Sequence, residues 1–165
     1  MPAESNTTDD FTRATRRLGA MWAKADQAAG RPQPSRDTLL RQVVEILHQE
    51  ISHYDWVGIY LLDGNELSLH NFLGRPTPHE RIPVDHGICG AAIRDNDTII
   101  IDDVKADPRY LACSLETSSE IVVPIRVGEK PIGEIDIDSD AAAAFSDADR
   151  RFLEEIAAKL ATVLA

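Results

Sequence analysis

The chain holds 165 residues, 43% hydrophobic and 27% charged, the composition of one soluble globular domain rather than of a disordered chain. Seventeen basic against 28 acidic side chains leave a net charge of −11, a field that repels phosphate backbones and anionic lipid, so neither nucleic acid nor a membrane surface is an expected partner. Residues 1–54 carry seven acidic and seven basic side chains, so the whole excess lies in 55–165, where it suits a cationic or zwitterionic ligand or only keeps the surface solvated.

Residues 1–8 are mostly small and polar and read as a loose, disordered tail; a single domain is expected over 9–165. From Asp9 or Asp10 a helical stripe runs through Phe11, Leu18, Trp22 and Ala25, with Ala14 and Met21 beside it. Pro32 and Pro34 end it, and Ser35 can cap a second helix whose stripe is Leu40, Val43, Val44, Leu47 and Ile51. The period then changes from helix to strand. Asp55–Leu62 and Glu66–Phe72 read as a hairpin around Asp63-Gly64-Asn65, and residues 74–88 as a loop. A short helix is expected at His86–Asp95, a buried strand at Thr98–Val104 and an irregular run over 105–118. Glu120–Val127 and Ile132–Asp138 form a second hairpin around Gly128-Glu129-Lys130. A last helix follows from Ser146, with Asp149 as its capping-box partner and Phe152, Ile156, Leu160 and Leu164 as its stripe. Tight hairpins outnumber crossovers, which points to an α+β fold with a mainly antiparallel sheet.

The second hairpin carries the strongest chemical signal. Its odd positions, Ile121, Val123, Ile125, Ile135 and Ile137 among them, are apolar, whereas Glu120, Glu134, Asp136 and Asp138 share the other face. A three-residue turn would set Glu120 opposite Asp138, and like charges so paired want a cation or abundant water. A solvated outer face and a cation-binding face both satisfy that pattern. On the first hairpin, Trp56 and Tyr60 flank Gly58 on one face, which leaves a slot for a small apolar group or is plain core packing.

Two cysteines cannot make a secreted disulfide framework or a four-thiolate zinc site. Cys89 sits at the start of the short helix, where free backbone N–H groups would favour a thiolate, and Cys113 has Arg109 as a possible cationic neighbour. Both could equally be small buried hydrophobes. The five histidines show no metal-ligand spacing, so no metal is expected. Asp136-x-Asp138-x-Asp140 imitates a calcium loop, but the sixth position is Ala141 where the turn needs glycine. No G-x-S-x-G elbow is present, nor a signal-peptide pattern or an apolar run of spanning length; a cytoplasmic setting is the expectation.

Several strings, taken together and in order, resemble the GAF-domain family of free methionine-(R)-sulfoxide reductases. They are Asp55-Trp56-Val57-Gly58-Ile59-Tyr60, Arg81-Ile82-Pro83, Gly87-Ile88-Cys89-Gly90, Ala112-Cys113, Ser119-Glu120-Ile121-Val122-Val123-Pro124 and Ile135-Asp136-Ile137-Asp138-Ser139. The resemblance implies a GAF-like antiparallel sheet flanked by helices, with a ligand pocket between the sheet and the 74–118 loops. It further implies that Cys113 is the nucleophile and Cys89 a resolving thiol. Glu120, Asp136 and Asp138 would hold the substrate's amino group and help protonate the sulfoxide oxygen, and Trp56 and Tyr60 would wall the methyl-sulfinyl end. Free L-methionine-(R)-sulfoxide is the implied substrate, a thioredoxin-type dithiol the implied reductant, a homodimer the implied assembly, and no cofactor is needed. One position departs from the family: His79 stands where a third cysteine is common. A non-catalytic GAF module that senses a small amine-bearing ligand is the alternative, and a plain interaction module pairing through the first and last helices is a third.

Overall fold

A computed structural model describes residues 3–27, 30–112 and 114–165. Helix α1 (Ala3–Asp26) begins six residues earlier than the apolar stripe suggests, so much of the expected tail is helical. Its polar first turns have no periodicity from which a start could be read. Helix α2 (Arg36–Glu50) starts at Ser35, whose hydroxyl accepts the Thr38 amide at 3.1 Å, and buries the whole predicted stripe. Strands β1 (Trp56–Asp63) and β2 (Glu66–Leu73) form the first hairpin. The region expected as a loop contains a short strand β3 (Arg81–Pro83), which pairs with Glu66–Ser68 of β2. Helix α3 (Gly87–Asp95), strand β4 (Ile99–Ile101), strands β5 (Ser119–Val127) and β6 (Lys130–Ser139) and helix α4 (Asp147–Leu164) complete the chain.

Six strands make one sheet in the order β3-β2-β1-β6-β5-β4, every pair antiparallel. The β5–β6 turn is tighter than expected, with Val127 opposite Lys130, and an irregularity between Ile125 and Arg126 restores the offset. Glu120 therefore does face Asp138, as the longer turn would have placed it.

Alternation assigns the two sheet faces. Val57, Ile59, Ile121, Val123, Ile125, Ile135 and Ile137 are fully buried against α2 and α4, with α1 packed outside on α2. On α4 the buried residues are Leu153, Ile156, Ala157, Leu160 and Ala161, so the stripe is rotated from the expected one, and Phe152 and Leu164 are only partly covered. The opposite face carries a smaller core of Trp56, Tyr60, Leu67, Ile82, Ile88, Cys89, Ala92, Ile93 and Val122, roofed by α3. Among the described residues no helix is long and apolar enough to cross a membrane.

One carboxylate fastens α4 to the rest. Asp149 accepts the Ser146 amide at 2.9 Å in the capping box, His53 Nε2 at 2.7 Å and the Tyr54 hydroxyl at 2.8 Å. Burial pushes its pKa up, but these hydrogen bonds and the His53 ring outweigh burial and hold it below the ordinary aspartate range. Its contribution to stability is therefore complete above the unfolded value of about 3.9 and disappears as pH falls through the lower folded value. Asp149→Asn should cost about 1.5–3 kcal/mol in urea unfolding at pH 7. The cost should shrink as pH falls below about 3.9, while an equal cost at every pH would contradict this assignment.

Candidate active site

The strand registers write the acidic face as three rows of partners. Trp56, Asp138 and Glu120 stand side by side across β1, β6 and β5; Gly58, Asp136 and Val122 make the second row; Tyr60, Glu134 and Pro124 the third. The four acids are not a solvated face. Glu120 is 5% exposed, Glu134 0%, Asp136 4% and Asp138 4%. Taking a carboxylate out of water disfavours its charge, and burial accordingly raises the pKa of Glu134, Asp136 and Asp138. The neighbouring Asp136 adds to the rise at Asp138, and Arg75 opposes it; at Asp136 bonds from Glu120 and Cys89 and the nearby His79 ring oppose the rise. Among the described residues, Asp136 Oδ1 and both Glu134 oxygens lack a hydrogen-bond partner. That is an unusual state for buried polar atoms, and it is relieved by a ligand that brings donors or positive charge.

Cys89 enters from the roof. Gly87 opens α3 at φ +70°, a conformation costly for any residue with a Cβ, and a Cβ there would also lie 2.9 Å from Leu111. The helix then points Cys89 at the sheet, where its free thiol donates to Asp136 Oδ2 at 3.4 Å. This corrects the expectation of a thiolate at a helix start. Burial, followed by Asp136, Glu134 and Glu120, pushes the Cys89 pKa up, and these outweigh the helix N-terminus.

A narrow cavity of about 20 Å3, room for about one water, lies between sheet and roof and is lined by Tyr60, His79, Cys89, Tyr110, Glu120 and Asp136 among others. The Tyr60 hydroxyl donates to the His79 carbonyl at 2.7 Å, and His79 Nε2 donates to the Ala112 carbonyl at 3.2 Å. These bonds tie the 74–80 and 109–112 segments together over the sheet. Trp56 and Asp138 share the row of Glu120 but do not line the cavity themselves. The Trp56 indole donates to the Arg75 carbonyl at 3.0 Å, stacks on Phe72 at 5.6 Å and lies flat over Gly58. A Cβ at Gly58 would meet that ring at 2.3 Å, so the slot expected between Trp56 and Tyr60 is filled by the indole itself. Cys113 lies outside the described residues; Ala112 before it is held at the cavity rim by His79. A wider groove lies elsewhere, between α2 and β2, and has no cysteine and no buried carboxylate on its walls.

Of the residues expected at the site, Tyr60, Cys89, Glu120 and Asp136 meet in one cavity. His79 joins them in the cavity lining, and Glu134 is buried on the same face of β6 without lining the cavity. Glu134 shares the alternation of its strand and could have been included on that signal alone. His79 has only its place two residues before Arg81-Ile82-Pro83 to mark it.

Residues 35–164 match the GAF domain family. The chain is 38% identical over 120 residues to the free methionine-R-sulfoxide reductase of Escherichia coli, covering 73% of this chain and 72% of that protein. It superposes on the free methionine-R-sulfoxide reductase of Neisseria meningitidis, solved in complex with its substrate, with a TM-score of 0.82 at 30% identity over 94% of this chain and 90% of that one. The type II enzyme of Thermoplasma acidophilum gives a TM-score of 0.76 at 43% identity over 78% of this chain and 92% of that one. With a GAF fold, a buried acidic face and a thiol against it, the chain belongs to the GAF-domain free methionine-R-sulfoxide reductase family.

Proposed function

We propose that the protein reduces free L-methionine-(R)-sulfoxide to methionine by thiol chemistry. The observation that carries this reading is the set of buried carboxyls facing Cys89 at a narrow cavity, in a chain of this family. An amino acid brings an ammonium, which is the charge that Glu120, Asp136 and Asp138 need once they are out of water. A carboxyl that burial keeps protonated can in turn give its proton to the sulfoxide oxygen. Tyr60 lines the cavity and Trp56, packed over Gly58, backs it as the apolar side for the methyl-sulfinyl end.

The thiolate of Cys113 attacks the sulfoxide sulfur. The sulfoxide oxygen takes up a proton and ends on Cys113, which becomes a sulfenic acid as methionine leaves. The Cys89 thiol then attacks the Cys113 sulfur; the S–S bond forms and the hydroxyl leaves as water with the Cys89 proton. A thioredoxin-type dithiol opens the disulfide by exchange and is itself oxidised, which returns both thiols. His79 takes the place of a third thiol, so Cys89 is the only internal resolving group. A reducing, cytoplasmic setting and a homodimer formed through α1 and α4 complete this reading.

Cys113→Ser should abolish methionine formation while binding of methionine, followed by calorimetry, changes less than about threefold, a shift below about 0.7 kcal/mol. Retained turnover would refute Cys113 as the nucleophile, and it would leave the sensing module excluded as well. Asp136→Asn should weaken methionine binding by about 2–5 kcal/mol, because it leaves a desolvated ammonium facing a neutral amide. Gly58→Ala must displace the indole, so KM for the sulfoxide should rise with little change in kcat. An unchanged KM would remove Trp56 from the substrate wall.

A further inference from the structure

The cavity assembles a donor set that no spacing in the sequence displays. Cys89 Sγ, one Glu120 oxygen and one Asp136 oxygen, from α3, β5 and β6, all lie within 4.8 Å of one another, and all three residues are buried. Asp136 Oδ1 has no hydrogen-bond partner among the described residues, although Asp136 is 4% exposed and lines the cavity. The separation of Cys89 Sγ from Asp136 Oδ2 is 3.4 Å. A thiolate and a carboxylate oxygen on one tetrahedral zinc ion, at about 2.3 and 2.0 Å from it, stand about 3.5 Å apart. The pair is thus already spaced as two neighbouring ligands of such an ion.

We propose that, when Cys89 is reduced, the cavity binds one thiophilic divalent cation, Zn2+ by preference, through Cys89 Sγ, Glu120 and Asp136. A thiolate donor selects zinc or cadmium over magnesium and calcium, which favour all-oxygen sites. Three anionic ligands against a dication leave a residual charge of −1, far less to bury than three separate anions. Three protein ligands also leave a fourth tetrahedral position open. On the reductase reading the ion would take the seat of the substrate ammonium, so zinc would act as a competitive brake that oxidation of Cys89 releases. Only this consequence rests on that reading. The ion site itself does not.

The test uses the full-length Cys113→Ser protein, in which Cys89 is the remaining thiol, reduced and titrated anaerobically with Cd2+. A thiolate-to-cadmium charge-transfer band should saturate at one equivalent per chain, be displaced by Zn2+, and be absent from Cys89→Ser. Glu120→Gln and Asp136→Asn should each weaken the titration at least tenfold, about 1.4 kcal/mol, with near-ultraviolet circular dichroism showing that both are folded. No band in the Cys113→Ser protein would overturn the proposal, as would a band that neither carboxamide variant weakens. The Cys113→Ser protein cannot turn over on the reductase reading, so the band reports on the ion site whether or not that reading holds.

Discussion

Four carboxyl groups buried on one face of an antiparallel sheet set the terms for the rest of this molecule. Carboxylates cannot be removed from water as bare charges; they must be protonated, hydrogen-bonded or matched by a cation. The sheet offers no cation in the rows that hold Glu120, Glu134, Asp136 and Asp138: their strand partners are Trp56, Gly58, Tyr60, Val122 and Pro124. Arg75, which acts on Asp138, forms a bidentate ion pair with Asp140, and His79 acts on Asp136 from the cavity wall. Burial raises the pKa of Glu134, Asp136 and Asp138, and the face favours a ligand that brings positive charge or hydrogen-bond donors.

The fold can tolerate that face because its stability lies on the other one. Helices α2 and α4 cover seven fully buried β-branched residues of β1, β5 and β6, and Asp149 locks α4 in place through His53 and Tyr54. Sheet and helices form a platform, and the roof over the acids is made of α3 and loop segments. Such an arrangement places ligand chemistry where packing constraints are weakest. The same acids that await a cation also keep Cys89 protonated, so the thiol against the sheet is held in reserve rather than activated. On the proposed mechanism the resolving thiol, Cys89, is the one surrounded by buried carboxyls.

Much of this was legible in the chain because two periodicities are plain in it. The alternation of isoleucine and valine with acidic residues in the second hairpin assigned both sheet faces, and Ser35 and Ser146 marked two helix starts correctly. Alternation cannot say whether the polar face is wet. That depends on α3 and the 105–112 loop folding over it, which are long-range contacts with no local signature. The Glu120–Asp138 pairing was right although the turn was misjudged, since an irregularity after Ile125 compensated for the shorter turn. Strand β3 escaped because three residues between prolines and glycines carry no period. The thiolate expected at Cys89 failed because a helix N-terminus acts over one turn, whereas burial and three carboxyls act on the same sulfur at closer range. The slot beside Gly58 failed for a simpler reason: the neighbouring indole fills the space that the glycine leaves.

On the proposed mechanism the acidic cavity receives a free amino-acid sulfoxide and the two thiols take its oxygen. A single turnover tests it most directly: fully reduced protein, no external reductant, mixed with free L-methionine-(R)-sulfoxide and in parallel with the (S) epimer. The account predicts one methionine per chain from the (R) epimer, loss of both thiols and no methionine from (S). No methionine from either epimer, with both thiols intact, would contradict it.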